Sequence, residues 1–79
     1  MTLGERIAYY RKKAGYSQEG LAERLGVSRQ AISKWETGEA TPDAERIIVL
    51  AAALGISTDT LLLSKEEPER PYTEAETVR

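Results

Sequence analysis

The 79-residue chain has no cysteine and no histidine, and its 11 Lys/Arg against 13 Asp/Glu give a net charge of −2. Those absences exclude a disulfide framework, a thiolate or imidazole metal site and the commonest general acid/base, so neither catalysis nor a cofactor is expected. With no basic run leading into an apolar N-terminal stretch and no segment near the ~18 apolar residues of a spanning helix, a soluble, cytoplasmic protein without a membrane role is expected.

One domain fits this length, and a globule so small buries only roughly 60% of the surface of its unfolded chain. Its thin core must come from packed helices. The charge is unevenly placed: residues 1–38 hold seven Lys/Arg and four Asp/Glu (+3), and residues 39–79 hold four and nine (−5). That polarity says more about partners than the sum does.

From Leu3 to Ala14, Leu3, Ile7 and Tyr10 fall at helical spacing, with Arg6, Arg11, Lys12 and Lys13 filling much of the polar remainder, and Gly15 ends this first helix. Ser17 is placed to cap a second helix with Leu21, Ala22 and Leu25 facing inward, closed by a left-handed Gly26. Only Gly26 and Val27 separate it from Ser28, the cap of a third helix running to Glu36. Two short helices joined so tightly must cross at a large angle, which is helix-turn-helix spacing.

Thr41-Pro42-Asp43 combines a hydroxyl at the cap, a proline at the first helical position and a carboxylate near the positive end of the dipole. A fourth helix follows, with Ile47, Leu50, Ala51 and Leu54 on one face. Gly55-Ile56 ends it, and Ser57 or Thr58 caps a brief fifth helix through Leu61 or Leu62.

The expected fold is all-α, five helices over residues 1–64 with no strand. Residues 65–79 hold two prolines, five glutamates and only Tyr72 and Val78 as sizeable apolar groups. Such a segment cannot bury enough to order itself, and is expected to be a disordered acidic tail or a linker to a C-terminal effector or oligomerisation domain.

Advancing about 100° per residue from Ser28 places Ile32, Trp35 and Ala31 on one arc of the third helix, and Arg29, Gln30, Ser33 and Lys34 on the other. The front carries groups that read base edges: Arg or Lys matches guanine acceptors, Gln pairs with adenine, and Ser serves either role. An ordinary solvated face would have the same composition. The surroundings favour a reading surface, because small Ala22 permits close helix approach, Gly26 permits the turn, and Val27, Ile32 and Trp35 form an apolar wedge behind it.

Gln18, in the first turn of the second helix, sits beside backbone N–H groups that favour an anion, so it is a candidate phosphate ligand. Ser17 and Ser28 are caps first, with Ser28 a phosphate ligand second. Lys12 and Lys13 fit either a phosphate-facing or a solvated role. Trp35 fits the core better than base stacking. Val49 and Ala52 point away from the buried face of the fourth helix, with Ile48 at the margin, and this strip suggests self-association.

Ser17-Gln18, Leu21-Ala22, Leu25-Gly26-Val27-Ser28, Ile32-Ser33, Trp35-Glu36-Thr37-Gly38, Pro42 and Leu50-Ala51-Ala52-Ala53-Leu54-Gly55-Ile56-Ser57 occur in order. Together they resemble the Cro/C1-type (XRE) helix-turn-helix family over residues 3–63, about four fifths of the chain. The resemblance implies a lambda-repressor-like fold and a bacterial or phage transcription regulator, repressor-like, that binds double-stranded operator DNA as a homodimer.

Residue by residue, it implies that Arg29, Gln30, Ser33 and Lys34 face the major groove, that Gln18 and Thr37 contact phosphate, and that Arg11 and Glu36 form a structural ion pair. A dimer would set two reading helices about 34–36 Å apart on a roughly palindromic site. The chain departs from basic members of the family at Glu39, Asp43 and Glu45, which lowers the expected phosphate grip. A competing reading is an antitoxin or protein-interaction module that uses the surface of the fourth and fifth helices and the acidic tail.

Overall fold

The computed structural model describes residues 1–63; the expected boundary at 64 and the tail at 65–79 lie outside the described residues. Five helices follow one another: α1 (Leu3–Lys13), α2 (Gln18–Leu25), α3 (Arg29–Thr37), α4 (Ala44–Leu54) and α5 (Thr58–Leu63). No strand occurs among the described residues.

Each start is set by a side chain that accepts an otherwise orphaned backbone N–H. Thr2 Oγ1 accepts from the Glu5 N–H at 3.1 Å while Glu5 Oε1 accepts from the Thr2 N–H at 2.9 Å, a reciprocal capping box at the head of α1. Ser17 Oγ accepts from the Gly20 N–H at 2.9 Å and Ser28 Oγ from the Ala31 N–H at 3.1 Å, so both serines cap as their positions suggested. At α5 the cap is Ser57 rather than Thr58, with Oγ accepting from the Thr60 N–H at 3.0 Å.

The start of α4 differs from the sequence reading. Its cap is Asp43, whose Oδ1 accepts from the Arg46 N–H at 2.9 Å; Thr41 is exposed, and Pro42 is a buried residue just before the cap rather than the first residue of the helix. A carboxylate caps well and also complements the helix dipole, so it takes the position that the hydroxyl two residues earlier would have filled.

The connection from α2 to α3 depends on Gly26, at φ +72°, a left-handed conformation open to glycine at little cost. Its turn is closed by the Val27 N–H donating to the Ala22 carbonyl at 3.0 Å.

Ile7, Leu21, Ile32, Leu50 and Leu61 are fully buried, one from each helix, so no helix can detach without exposing a core aliphatic. Burying such a side chain is worth about 1.5–3 kcal/mol. Trp35, Ala22, Ile47, Ala51 and Leu54 complete the cluster. α3 packs against α1 and α2, α4 against α2 and α5, and α5 returns to α1.

Arg6 departs from its expected place on the polar face of α1, being only 4% exposed. Its guanidinium donates to the carbonyls of Leu61 (Nε, 2.6 Å), Leu62 (Nη2, 3.0 Å) and Met1 (Nη1, 2.6 Å). The last carbonyls of a helix lack intrahelical partners, and a planar fork of donors suits them. Arg6 thereby fastens the end of α5 to α1.

Candidate nucleic-acid interface

α3 is held by its back. Ile32 is inaccessible and Trp35 is 8% exposed. On the other side Arg29, Gln30 and Lys34 are exposed, while Ser33 and Ala31 are half-buried at the edges of the front. The predicted division of the helix therefore stands, with Ser33 the least accessible of the four candidate base readers.

α3 is also the one described helix with no acidic residue in its first turn, where α1, α2, α4 and α5 carry Glu5, Glu19, Glu45 and Asp59. Nothing there opposes the partial positive charge of the helix start, and Arg29 adds to it. The front of α3 thus suits a polyanion presenting acceptor groups.

The supports of this helix are polar as well as apolar. Arg11 Nε lies 2.6 Å from Glu36 Oε2, with the two side chains only 10% and 8% exposed. Arg11 Nη1 also donates to the Tyr16 carbonyl at 2.8 Å, so the same guanidinium ties the end of α3 to the segment leading into α2. A buried pair of this kind is worth little against an apolar replacement, but losing one partner strands a charge in the interior.

Gln18 is half-buried and donates from Nε2 to Glu36 Oε1 at 2.9 Å, a link the sequence reading did not anticipate. No sequence signal could have supplied it, because residues 18 and 36 meet only once α2 and α3 have crossed. Thr37 is exposed, its hydroxyl donating to the Lys34 carbonyl at 3.3 Å. The Ser28 hydroxyl, occupied as an acceptor by its cap, retains its own O–H as a donor. Lys12 and Lys13 are exposed on α1, the Lys13 ammonium lying 5.7 Å from the centre of the Tyr9 ring.

Away from α3, Ile48 (60% exposed) and Val49 (40%) stand on the outer face of α4 beside exposed Ala52. Ile48 is more exposed than Val49, and Leu62 and Leu63 add exposed apolar surface at the end of α5. No helix among the described residues is long and apolar enough to cross a membrane.

Two short helices joined by a glycine turn, the second anchored by its apolar back with its polar face outward, define a helix-turn-helix domain. The sequence matches the helix-turn-helix family over residues 7–61. The chain belongs to the Cro/C1-type (XRE) branch of that family.

It is similar to the SPbeta prophage-derived HTH-type transcriptional regulator YonR of Bacillus subtilis, 46% identical over 59 residues, 75% of this chain and 55% of that protein. It is 45% identical over 60 residues to repressor protein C2 of Salmonella phage P22, 76% of this chain and 28% of the repressor. The chain spans about half, or less, of the length of these curated relatives.

Among solved structures, the P22 c2 repressor in complex with a synthetic operator superposes with a TM-score of 0.78 at 42% identity, covering 82% of this chain and 98% of that one. The SinR regulator of biofilm formation in complex with DNA gives 0.71 at 38% identity, covering 76% and 97%.

Proposed function

We propose that this chain is the DNA-reading domain of a repressor-like transcription regulator that binds a specific double-stranded operator in the major groove. The observation that carries this reading is the exposed polar front of α3, held outward by buried Ile32 and Trp35. Arg29, Gln30, Ser33 and Lys34 read base edges, and Gln18, Thr37 and Ser28 meet phosphates at the ends of α2 and α3. The two solved relatives in complex with DNA support the reading.

The protein acts in the cytoplasm as a binding protein, not an enzyme, and its chemistry is recognition. Two copies engage a roughly palindromic site through the apolar strip of Ile48, Val49 and Ala52 on α4. Residues 1–64 form the reading unit. The relatives are named as regulators and repressors, which favours DNA recognition over the antitoxin or interaction-module reading.

The test is selection of duplexes from a randomised pool at physiological salt, followed by titration of the enriched duplex against a scrambled one. A preference of about 10³ or more that is lost in R29A/Q30A supports reading by α3. No enrichment, or binding set only by ionic strength, overturns the proposal.

A further inference from the structure

Glu36 joins three helices rather than two. Its Oε2 accepts from Arg11 Nε at 2.6 Å, and its Oε1 accepts both from Arg11 Nη2 at 3.3 Å and from Gln18 Nε2 at 2.9 Å. One carboxylate in the last turn of α3 thus holds a guanidinium of α1 and an amide in the first turn of α2. The ion pair is nine-tenths buried and Gln18 is half-buried, so the amide spans the step from interior to surface.

The direction of the amide follows from the chemistry of its partner. An ionised carboxylate only accepts, so the NH2 end of Gln18 must face it; the flipped amide would set oxygen against oxygen. One Nε2 hydrogen is therefore committed to Glu36, and the second is directed away from it in the amide plane. Gln18 also opens α2, where first-turn backbone N–H groups have no partner within the helix and favour an anion.

We propose that Glu36 is a positioning residue for DNA binding: it fixes the Gln18 carboxamide so that its second Nε2 hydrogen is presented to a single DNA phosphate. This rests on the reading of the chain as a double-stranded DNA binder. A free glutamine would lose its rotamer freedom on meeting the phosphate, whereas here that loss is taken during folding, before DNA arrives. Arg11 completes the arrangement by balancing the carboxylate charge, which would otherwise repel the phosphate.

The test uses the full 79-residue chain and the duplex enriched from the randomised pool, remade with one phosphate at a time replaced by an uncharged methylphosphonate. Q18A is expected to bind about ten- to a hundredfold more weakly, the worth of one hydrogen bond to a charged acceptor, and to lose sensitivity to replacement of one particular phosphate. E36M, which removes the acceptor, is expected to lose sensitivity at that same phosphate, and Q18A/E36M to bind within about twofold of Q18A. A variant that merely loosened the fold would weaken binding without erasing one phosphate from the pattern.

Because E36M strands the Arg11 charge, R11M/E36M is measured beside it: it replaces the pair by apolar groups, which such sites tolerate, yet still removes the acceptor of Gln18. Retention in E36M or R11M/E36M of the phosphate that Q18A loses overturns the proposal. So does a Q18A pattern identical to wild type, and both of these results leave the DNA-binding reading intact. Wild type that prefers no duplex overturns that reading and the proposal with it.

Discussion

Gly4 and Glu36 meet backbone to backbone: a Cβ on Gly4 would fall 2.5 Å from the Glu36 carbonyl oxygen and 2.6 Å from that of Trp35. This glycine is set by close approach, not by conformation, since α1 rests directly on the last turn of α3. The residue that anchors the end of the reading helix thus depends on the absence of a side chain at the head of another helix.

Gly4→Ala should therefore separate α1 from α3, at a cost of about 1–3 kcal/mol or somewhat more. In urea denaturation the midpoint is expected to fall with little change in slope. An unchanged midpoint would show that the two helices can move apart freely.

Arg6 should resist conservative exchange. Three of its donors meet the carbonyls of Leu61, Leu62 and Met1 from a buried position. Arg6→Met leaves those acceptors without the charge-assisted donors, and a loss of about 3 kcal/mol is expected. Arg6→Lys should recover little of it, because one ammonium cannot present the same fork. Thermal unfolding of both variants decides this; full rescue by lysine would mean that charge alone matters.

The head of α4 offers a sharper contrast. Asp43→Ala removes the side chain that accepts from the Arg46 N–H and should cost about 1 kcal/mol. Thr41→Ala changes an exposed residue outside the helix and should stay within about 0.5 kcal/mol. Equal effects from the two in a melting experiment would contradict the assignment of the cap.

Self-association can be tested apart from stability. Ile48→Glu/Val49→Glu places two charges on side chains that are already exposed, so unfolding of the isolated chain should change by about 0.5 kcal/mol or less. Binding to a duplex with two half-sites should weaken and lose its cooperativity, while affinity for a single half-site stays as it was. Gel-shift titration on both duplexes separates the effects, and unchanged cooperativity would move the contact away from this strip.

The ends of the helices could be read along the chain because they are local. Ser17, Ser28 and Ser57 each act on a backbone N–H three residues away, and a turn closed by Gly26 requires only a left-handed conformation. The inward faces of α2, α3 and α4 were equally legible, since periodicity fixes which residues share a face before any partner is known. At α4 the local signals were present but competed, and Asp43 rather than Thr41 took the cap.

What the sequence by itself determined is the all-helical pattern, the apolar back and polar front of α3, and the short connection that sets it beside α2. What only the tertiary structure decided is how distant polar groups meet: Arg6 with the carbonyls at the end of α5, Gly4 beneath the carbonyls of α3, and Gln18 with Glu36. The physical reason is separation along the chain. Helical periodicity and capping act over three or four residues, whereas these contacts join residues 18 to 56 positions apart and exist only after the helices have packed.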